Sequence, residues 1–341
     1  MNRDPRWGRN GEAGAECPLL MSAIGVAQTE GLQRGDGREK RFIQVAATVK
    51  HFAVNGLEDT PRGISRENFD ANVSDYLLAD YYWPAFRAAI RTADAKGIMC
   101  ALNAVRGHPA CLSPLLNAAK TAWNFTGYTS SDTGAISDFD DVPGYRKTLE
   151  QAACLALQQG GCDIDSGNTF NSSLLNATEA GLCTMDDVDR ALFNSLRVRF
   201  ELGLFDKTDD QPLWKLGQGD IGTDASAHLN LRAAEESLVL LQNPNGVLPL
   251  EPGQKLLIAG PHANATRDLI QVATGRLCPS NDMSCVPSPL QRISEINDAV
   301  AGGSTAHAYG CHLLGDNATD SQHIAVAVKA AQAADVIVLG E

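Results

Sequence analysis

Basic side chains are scarce in this sequence, and long apolar runs are missing from it. The 341 residues include 28 Lys and Arg against 41 Asp and Glu, which gives a formal net charge of −13 at pH 7. Such a charge repels phosphate, so neither nucleic acid nor an anionic membrane is an expected partner. The longest apolar stretches, such as residues 334–339, are far shorter than the roughly 20 residues that span a bilayer. We therefore expect no membrane span.

Patterns that hold metals or direct secretion are also missing. The sequence has no Cys-X-X-Cys and no spaced pair of histidines typical of a zinc site, so we expect no metal site and no cofactor. Residues 1–6 lack the apolar core of a signal peptide.

Glycosylation sequons, by contrast, are abundant. Six Asn-X-Ser/Thr sequons occur, where chance gives roughly 2 to 3. The excess predicts a secreted, extracellular glycoprotein, although sequons can also stay unmodified. The six asparagines are Asn72, Asn124, Asn171, Asn176, Asn264 and Asn317.

Cysteine is present at nine positions, an odd number that cannot pair completely. Cys278 and Cys285 bracket a short polar loop and form the most credible disulfide. The pair Cys100 and Cys111 flanks a turn-like segment and is a weaker candidate. The remaining thiols considered, Cys154 and Cys162, are expected to be buried and free.

Strand-like and helical patterns alternate between residues 40 and 205. The strands end near Phe52, Leu102, Asp132 and Asp165, and the helices cover about 69–92, 112–123, 145–160 and 186–203. This alternation predicts a parallel α/β sheet or barrel. Four such units are visible, whereas a closed (β/α)₈ barrel has eight.

A second α/β region follows a loop-rich linker at 206–222. We expect a helix to open near Thr223 and a strand at 255–260. A final helix at about 323–334 leads into another strand at 335–340.

Polar residues capable of chemistry stand where two of the predicted strands end. Asp132, with Ser131 and Thr133, lies at the end of the β-prone run 125–130, a position that suits either a nucleophilic carboxylate or the cap of the next helix. Lys50 and His51 close the run 43–49 and could grip sugar hydroxyl groups. Because neighbouring strand residues point to opposite faces, at least one of the two needs irregular backbone to reach a shared ligand. The pattern indicates a sugar-cleaving enzyme.

Several motifs, in this order, resemble glycoside hydrolase family 3, and the resemblance runs along the whole chain. They are Asn2–Arg9, Lys50–Phe52, Ile98–Asn103, Gly127–Asp132, Gly161–Gly167, Arg199–Asp206, and Ser237–Asn243 with Leu248–Leu250.

The resemblance implies a fold and a domain order. Residues 1–205 would be the C-terminal part of a (β/α)₈ TIM-like barrel. Residues 206–222 would be a linker, and 223–341 the start of an α/β sandwich domain. Both domains would be parts of larger ones, since members of this family begin earlier in the barrel and continue further.

The resemblance also implies a retaining, exo-acting β-glycosidase. Asp132 would form a covalent glycosyl-enzyme, and Arg9, Lys50 and His51 would bind the substrate. Arg3 and Arg6 are expected to brace their loop through ion pairs with Asp4 or neighbouring acids. We expect Trp7, in the same motif, to pack rather than to stack on sugar.

Features of the β-xylosidase branch set the expected substrate. The run 164–167 and the surroundings of Cys100 and Cys111 resemble that branch, and Thr133 stands where glucosidases of the family commonly have Trp. We expect β-1,4-xylooligosaccharides from xylan as substrate, with α-L-arabinofuranosides or β-glucosides as alternatives.

Some positions depart from the family pattern. Leu102 replaces a common Tyr, and Cys17 replaces a common Asp. The acid/base residue is not identified in this chain, because Glu341 matches only the start of the loop that carries it. A truncated, inactive or sugar-binding-only homologue therefore stays open. A lyase or aldolase that uses Lys50 as a Schiff base is a further, less favoured alternative.

Overall fold

The computed structural model describes residues 2–35, 37, 41–60, 63–142, 145, 147–270, 278, 282–312 and 317–340; Glu341 lies outside them. The chain divides into two compact units, residues 1–223 and 224–341, here termed the N-terminal and the C-terminal unit. None of the helices in the described ranges combines the length and the apolar character needed to cross a membrane.

The strands of the N-terminal unit build two small sheets. In the first, β3 lies between β1 and β6 and all three strands are parallel, and Ser130 makes a further parallel bridge to Ile164. The second sheet joins β2, β4 and β5. The bounds are β1 Thr48–Phe52, β2 Asp70–Ala71, β3 Gly97–Cys100, β4 Ala104–Val105, β5 His108–Pro109 and β6 Tyr128–Ser131.

These sheets bear on the expectation of a partial barrel. The parallel order and the mixed α/β content are present, and the strands end close to the predicted positions. The barrel fragment itself is not confirmed, because the described residues form an open three-stranded sheet with one added bridge. Four strand-like segments are too few to close an eight-stranded cylinder.

Helices cover the first sheet. The predicted helix at 69–92 starts later and passes through a π-helical turn, Leu78–Tyr82, whereas α1 and α6 were not predicted. A second π-helical turn spans Ala156–Gly160. The helices are α1 Pro18–Arg34, α2 Asp75–Leu77, α3 Trp83–Arg91, α4 Pro114–Ala122, α5 Leu149–Leu155, α6 Thr169–Glu179 and α7 Met185–Glu201. Short 3₁₀ turns lie at Asn10–Glu12, Ala110–Leu112, Ser137–Asp141, Thr208–Asp210, Pro212–Lys215 and Gln218–Asp220.

Apolar burial and side-chain caps explain why these segments adopt their structures. Ile98 of β3 is fully buried and packs in one cluster with Phe52, Leu116 and Trp123. Burial of such side chains is the main favourable term in folding. The residue before α5, Thr148, is its N-cap, and the Thr148 side chain accepts from the Gln151 backbone N–H in a complete capping box. This cluster packs against β1 and β3 of the first sheet and so holds the strands that carry the candidate site.

The cysteines form three disulfides, Cys100–Cys111, Cys154–Cys183 and Cys278–Cys285. The expectation that Cys154 is a free thiol is wrong. Its side chain lies in the cluster that also contains Ala177 of α6, and the chain beyond α6 brings Cys183 back to it. Cys162 is a buried free thiol, and burial raises its pKa to about 12.

The sequon asparagines are largely accessible. Five of them have exposed side chains: Asn72, Asn124, Asn171, Asn176 and Asn264. The side chain of Asn317 is outside the described part, so glycosylation stays a prediction.

The C-terminal unit contains one parallel three-stranded sheet with β7 in the middle, between β8 and β9. The helix that precedes the last strand starts earlier than the predicted position 323, while α9 and β8 were not predicted. The elements are α8 Asp224–Ser237, β7 Lys255–Ala259, α9 Pro289–Asn297, β8 Ser304–Ala308, α10 Asn317–Ala331 and β9 Val336–Leu339.

Candidate active site

Asp132 lies at the carboxyl end of β6, where the first sheet ends. Its backbone N–H donates to the carbonyl of Cys100 on β3 at 2.9 Å, and Ser131 donates to Ile164 on the other side at 2.9 Å. The carboxylate is therefore anchored between two neighbouring strand ends. In parallel α/β folds, this edge of the sheet is where ligands bind.

The two carboxylate oxygens of Asp132 have different surroundings. Oδ1 accepts from the backbone N–H of Thr133 at 2.8 Å, so it caps the local turn rather than a helix. Oδ2 is buried and has no hydrogen-bond partner among the described residues. A buried oxygen without a partner is costly and usually has a functional reason. The free oxygen is the one available to attack an electrophile.

A network of hydroxyl groups holds the loops beside Asp132. The Ser131 hydroxyl donates to Asp165 Oδ1 at 3.2 Å and accepts from the backbone N–H of Ser166 at 2.9 Å. The hydroxyl groups of Thr133 and Ser166 lie 3.0 Å apart. Thr133, which the sequence singled out for substrate choice, thus has a hydrogen-bonding role inside the protein.

His51 is an ionisable side chain that lies close to Oδ2 of Asp132. Its Nε2 lies 3.5 Å from Asp132 Oδ2 and 3.2 Å from Arg9 Nη2. Burial lowers the pKa of His51 to about 4, although the charge of Asp132 opposes this shift. The imidazole is therefore neutral at pH 7, and its contact with Asp132 is not an ion pair.

Because the His51 ring is neutral, only one of its two nitrogens carries a proton, and the contact with Arg9 shows which one. The Arg9 guanidinium can only donate, so Nε2 of His51 accepts and the ring proton is on Nδ1. With Nε2 used in this way, His51 does not donate to Asp132. Oδ2 of Asp132 therefore accepts no hydrogen bond from the described residues, although Asp132 interacts electrostatically with the Arg9 cation.

Glu12 joins the two predicted cations. Arg9 donates to both oxygens of Glu12, at 2.6 and 3.0 Å, and Lys50 Nζ lies 2.9 Å from Glu12 Oε2. These contacts, the hydrogen bond from Arg9 above all, lower the pKa of Glu12 to about 2. Glu12 is therefore ionised at neutral pH and cannot donate a proton there.

Lys50 and His51 contact different acids, as strand alternation predicts, although both line one cavity. Lys50 faces Glu12, while His51 faces Asp132. The irregular backbone that the sequence required is present as a shift in strand register between Val49 and Phe52, beside a cis peptide bond between Lys50 and His51. Lys50 is 42% exposed and paired with an acid, which disfavours the Schiff-base alternative.

Glu58 was missed by the sequence analysis. Its Oε1 accepts from the indole N–H of Trp7 at 3.2 Å, and its carboxylate lies 3.9 Å from Arg9 and 3.6 Å from Arg66. Trp7 is buried at 9% exposure, in line with the packing role expected for it. Glu12 could have been suggested by its position three residues after Arg9, but no local pattern indicates Glu58.

The other arginines of the first motif behave differently from each other. Arg6 binds Asp4 through both the carboxylate oxygens, as predicted. No acid forms an ion pair with Arg3 among the described residues, so the expected pair is not found there. Its guanidinium donates to the Tyr82 hydroxyl at 3.0 Å and lies over the ring of Tyr81, and both tyrosines belong to the π-helical turn.

A small cavity adjoins this network. It measures about 70 Å³ and is lined in part by Trp7, Lys50, His51 and Asn55. Both amide atoms of the Asn55 side chain are buried without hydrogen-bond partners in the described part of the chain. Such an amide can donate to one hydroxyl group and accept from another, so Asn55 is a candidate sugar ligand that the sequence did not indicate.

The two departures from the family pattern have local consequences. Leu102 is buried at 7% exposure in the main core cluster and supplies no hydroxyl group. Cys17 precedes α1 at the N-cap position and makes no side-chain cap hydrogen bond, whereas an Asp there could accept from the first N–H groups of the helix.

Comparisons with known proteins agree with these motifs. A model of the glycosyl hydrolase family 3 N terminal domain matches residues 1–198, and one of the family 3 C-terminal domain matches residues 238–340.

The curated relatives include xylosidases. A "probable exo-1,4-beta-xylosidase" of Aspergillus clavatus is 40% identical over 272 residues, which are 78% of this chain and 35% of that protein. Beta-D-xylosidase 1 of Arabidopsis thaliana is 33% identical over 341 residues, or 99% of this chain and 42% of that protein. The chain thus spans well under half the length of these relatives.

Solved structures also match. An exo-β-xylosidase bound to a xylobiose aziridine probe matches with a TM-score of 0.81 at 27% identity. The match covers 99% of this chain and 42% of the xylosidase chain. A β-glucosidase from Listeria innocua in complex with glucose has a TM-score of 0.76 at 30% identity, covering 99% and 44%.

Proposed function

The chain belongs to glycoside hydrolase family 3, and from that membership we propose that it carries the nucleophilic half of a retaining exo-β-glycosidase. The substrate we propose is a β-1,4-linked xylooligosaccharide. The observation that carries the proposal is the buried Oδ2 of Asp132 at the carboxyl end of β6, which has no hydrogen-bond partner in the described part of the chain.

In the first proposed step, Asp132 Oδ2 attacks the anomeric carbon and forms a glycosyl ester. The bond from that carbon to the leaving oxygen breaks, and this oxygen takes a proton from a general acid. In the second step, water attacks the same carbon, gives its proton to the conjugate base of that acid, and releases the Asp132 carboxylate. We assign no residue to the acid role, since Glu12 is held ionised by Arg9 and Lys50.

The surroundings of Asp132 support the nucleophile role. Oδ2 of Asp132 has no hydrogen-bond partner among the described residues, because the neutral His51 does not donate to it, and the charge of Asp132 interacts with the Arg9 cation. Lys50, His51, Arg9 and Asn55 would bind sugar hydroxyl groups beside the cavity. Pre-positioned polar groups of this kind are the main source of orientation in glycosidases.

Xylose as the preferred sugar rests on different support. The curated relatives named above are xylosidases, and one matching structure holds a xylobiose-derived probe. A β-glucosidase with bound glucose matches at similar identity, so a β-glucoside is the second candidate substrate.

A trapping experiment tests the nucleophile without any acid. The protein is incubated with the 2,4-dinitrophenyl glycoside of 2-deoxy-2-fluoroxylose, whose dinitrophenolate leaves without a proton. We expect one sugar ester per chain, mapped by mass spectrometry to Asp132. Asp132→Asn should slow labelling at least about 10³-fold, because an amide oxygen is a poor nucleophile.

Asp209→Asn is the matched control, since Asp209 is an exposed acid in a 3₁₀ turn of the same unit, and it should label like the unchanged protein. Label on another residue, or equal labelling of Asp132→Asn, contradicts the proposal. Faster labelling by the corresponding glucose reagent would keep the nucleophile and replace the proposed sugar.

A further inference from the structure

Three side chains with metal-binding atoms lie together in the C-terminal unit. His312, Asp320 and His323 each offer one ligand atom, and these atoms all lie within 4.8 Å of one another. In the described ranges no other group of three or more such residues meets this distance. The cluster consists of residues of the C-terminal unit alone, whereas Asp132 and its network belong to the N-terminal unit.

Local structure explains how the three residues meet. Asp320 and His323 are three residues apart on α10 and therefore share one face of that helix. His312 follows β8, and Asp320 Oδ1 accepts from its backbone N–H at 3.0 Å. The His312 Nδ1 atom lies 2.9 Å from the same oxygen. The carboxylate thus holds the segment after β8 against the helix.

One ring nitrogen of His323, Nδ1, has no hydrogen-bond partner among the described residues. This atom is buried. The two imidazole rings lie with centroids 5.1 Å apart, and the Tyr309 ring contacts both of them, at 5.1 and 5.7 Å. Both rings thus pack against Tyr309, and one nitrogen atom of each lies within 4.8 Å of the Asp320 carboxylate.

We propose that His312, Asp320 and His323 bind a divalent transition metal, and that zinc fits them best. Two imidazole nitrogens and one carboxylate oxygen form a ligand set typical of zinc, whereas calcium and magnesium prefer oxygen ligands. Zinc bonds of about 2.0 Å in a tetrahedron place ligand atoms about 3.3 Å apart. Small side-chain rotations would bring the present atoms to that separation, with the fourth position left for water.

The bound metal would connect two segments that differ in structure. It would tie the loop after β8 to the first turns of α10, in addition to the hydrogen bonds that Asp320 already makes. Since a ligand that binds the folded state alone stabilises it by mass action, we assign the metal a structural role in the C-terminal unit.

Calorimetric titration of the full chain with Zn²⁺, after treatment with a chelator, tests the site. We expect one equivalent to bind and a tenfold excess of Mg²⁺ not to compete. Because loss of an outer-shell partner already costs metal sites 10- to 100-fold in affinity, His312→Gln and His323→Gln should each weaken Zn²⁺ binding by about 100-fold or more.

His307→Gln is the matched control, since His307 is an exposed histidine on β8 in the same unit, and it should bind Zn²⁺ like the unchanged protein. Circular dichroism in the presence of chelator checks that all variants fold. No stoichiometric binding, or equal weakening by the control, overturns the proposal.

A second measurement needs no variant. Diethylpyrocarbonate modifies accessible imidazoles, and mass spectrometry locates the modified residues. Zn²⁺ should protect His312 and His323 and leave His307 reactive. Protection of other histidines, without these two, would place the metal elsewhere and overturn the assignment.

Discussion

Each unit contains a parallel sheet of three strands, ordered β1-β3-β6 in the N-terminal unit and β8-β7-β9 in the C-terminal unit. Different residues lie at the carboxyl ends of the strands in the two sheets. In the N-terminal unit, β6 is followed by Asp132, and β1 includes the polar pair Lys50 and His51. In the C-terminal unit, β7 is followed by Gly260 and β9 by Gly340. The carboxyl edge of a parallel three-stranded sheet thus carries a candidate active site in the N-terminal unit and glycines in the C-terminal unit.

The two glycines allow the backbone to pack closely at the end of the sheet in the C-terminal unit. Gly260 donates to Ala308 at 3.1 Å, and Gly340 donates to Ala259 at 2.8 Å. A Cβ on Gly260 would lie 2.2 Å from the Gly340 carbonyl oxygen, and its φ of +110° is rare for other residues. The comparison teaches that strand ends provide a site only where side chains, rather than packed backbone, occupy them.

The largest expected effect in the comparison comes from Gly260→Ala. The new methyl group meets the backbone carbonyl of Gly340, which accepts a hydrogen bond from His262, and the positive φ adds strain. We expect a loss of about 2 to 3 kcal/mol in the free energy of unfolding of the C-terminal unit. Urea unfolding followed by circular dichroism measures it.

Gly219→Ala is the control, because nothing lies within 4 Å of a Cβ at that position and its φ is not positive. It should change stability by less than about 0.5 kcal/mol. A neutral Gly260→Ala would mean that this end of the sheet has room for a side chain, and the contrast between the two sheets would fail.

Local sequence patterns predicted the strands of the site better than its contacts. The β-prone run before Asp132 and the apolar run before Lys50 end close to where β6 and β1 end, because each pattern reflects burial of its own side chains. The residues that complete the site come from elsewhere in the chain. Glu58 reaches Arg9 and Trp7 through folding alone, and no spacing in the sequence encodes that contact.

The disulfides show the same limit. The Cys278–Cys285 pair closes a loop of only 7 residues in separation, so its local context suggests it. Cys154 and Cys183 are 29 residues apart and meet because α5 packs on α6. The cluster of His312, Asp320 and His323 is close in sequence, but its spacing matches none of the zinc motifs considered, so the sequence did not predict it.

A smaller effect is expected from the buried His51. The pKa of His51 in the folded state is about 4, below its ordinary value of 6.5. Between these two pH values, His51 is therefore protonated in the unfolded chain and neutral in the folded chain. Stability therefore falls as the pH drops from 6.5 toward 4. Removing the imidazole in His51→Gln should abolish about 2 kcal/mol of this fall. Urea unfolding at pH 7 and pH 4.5 measures it.

His228→Gln serves as the control, because His228 is exposed on α8, and the fall in stability with acid should be retained in it. Equal pH dependence in His51→Gln and the unchanged protein would mean that His51 titrates normally. The His51 imidazole would then become charged below about pH 6.5 and could donate to Asp132 there, and burial of a neutral imidazole would no longer explain why Oδ2 has no partner among the described residues.

The smallest expected effect comes from Glu12→Gln, which removes the acid that joins Arg9 to Lys50. The pKa of Glu12 is lowered from 4.5 to about 2, so its stabilisation is present above pH 4.5 and is lost as the pH falls toward 2. Solvent screening limits the loss at pH 7 to about 1 kcal/mol. The difference from the unchanged protein should shrink toward zero near pH 2, while the exposed Glu16→Gln should show no difference at either pH. An equal loss at both pH values would show that Glu12 acts by packing, and that the cations at this strand end do not depend on its charge.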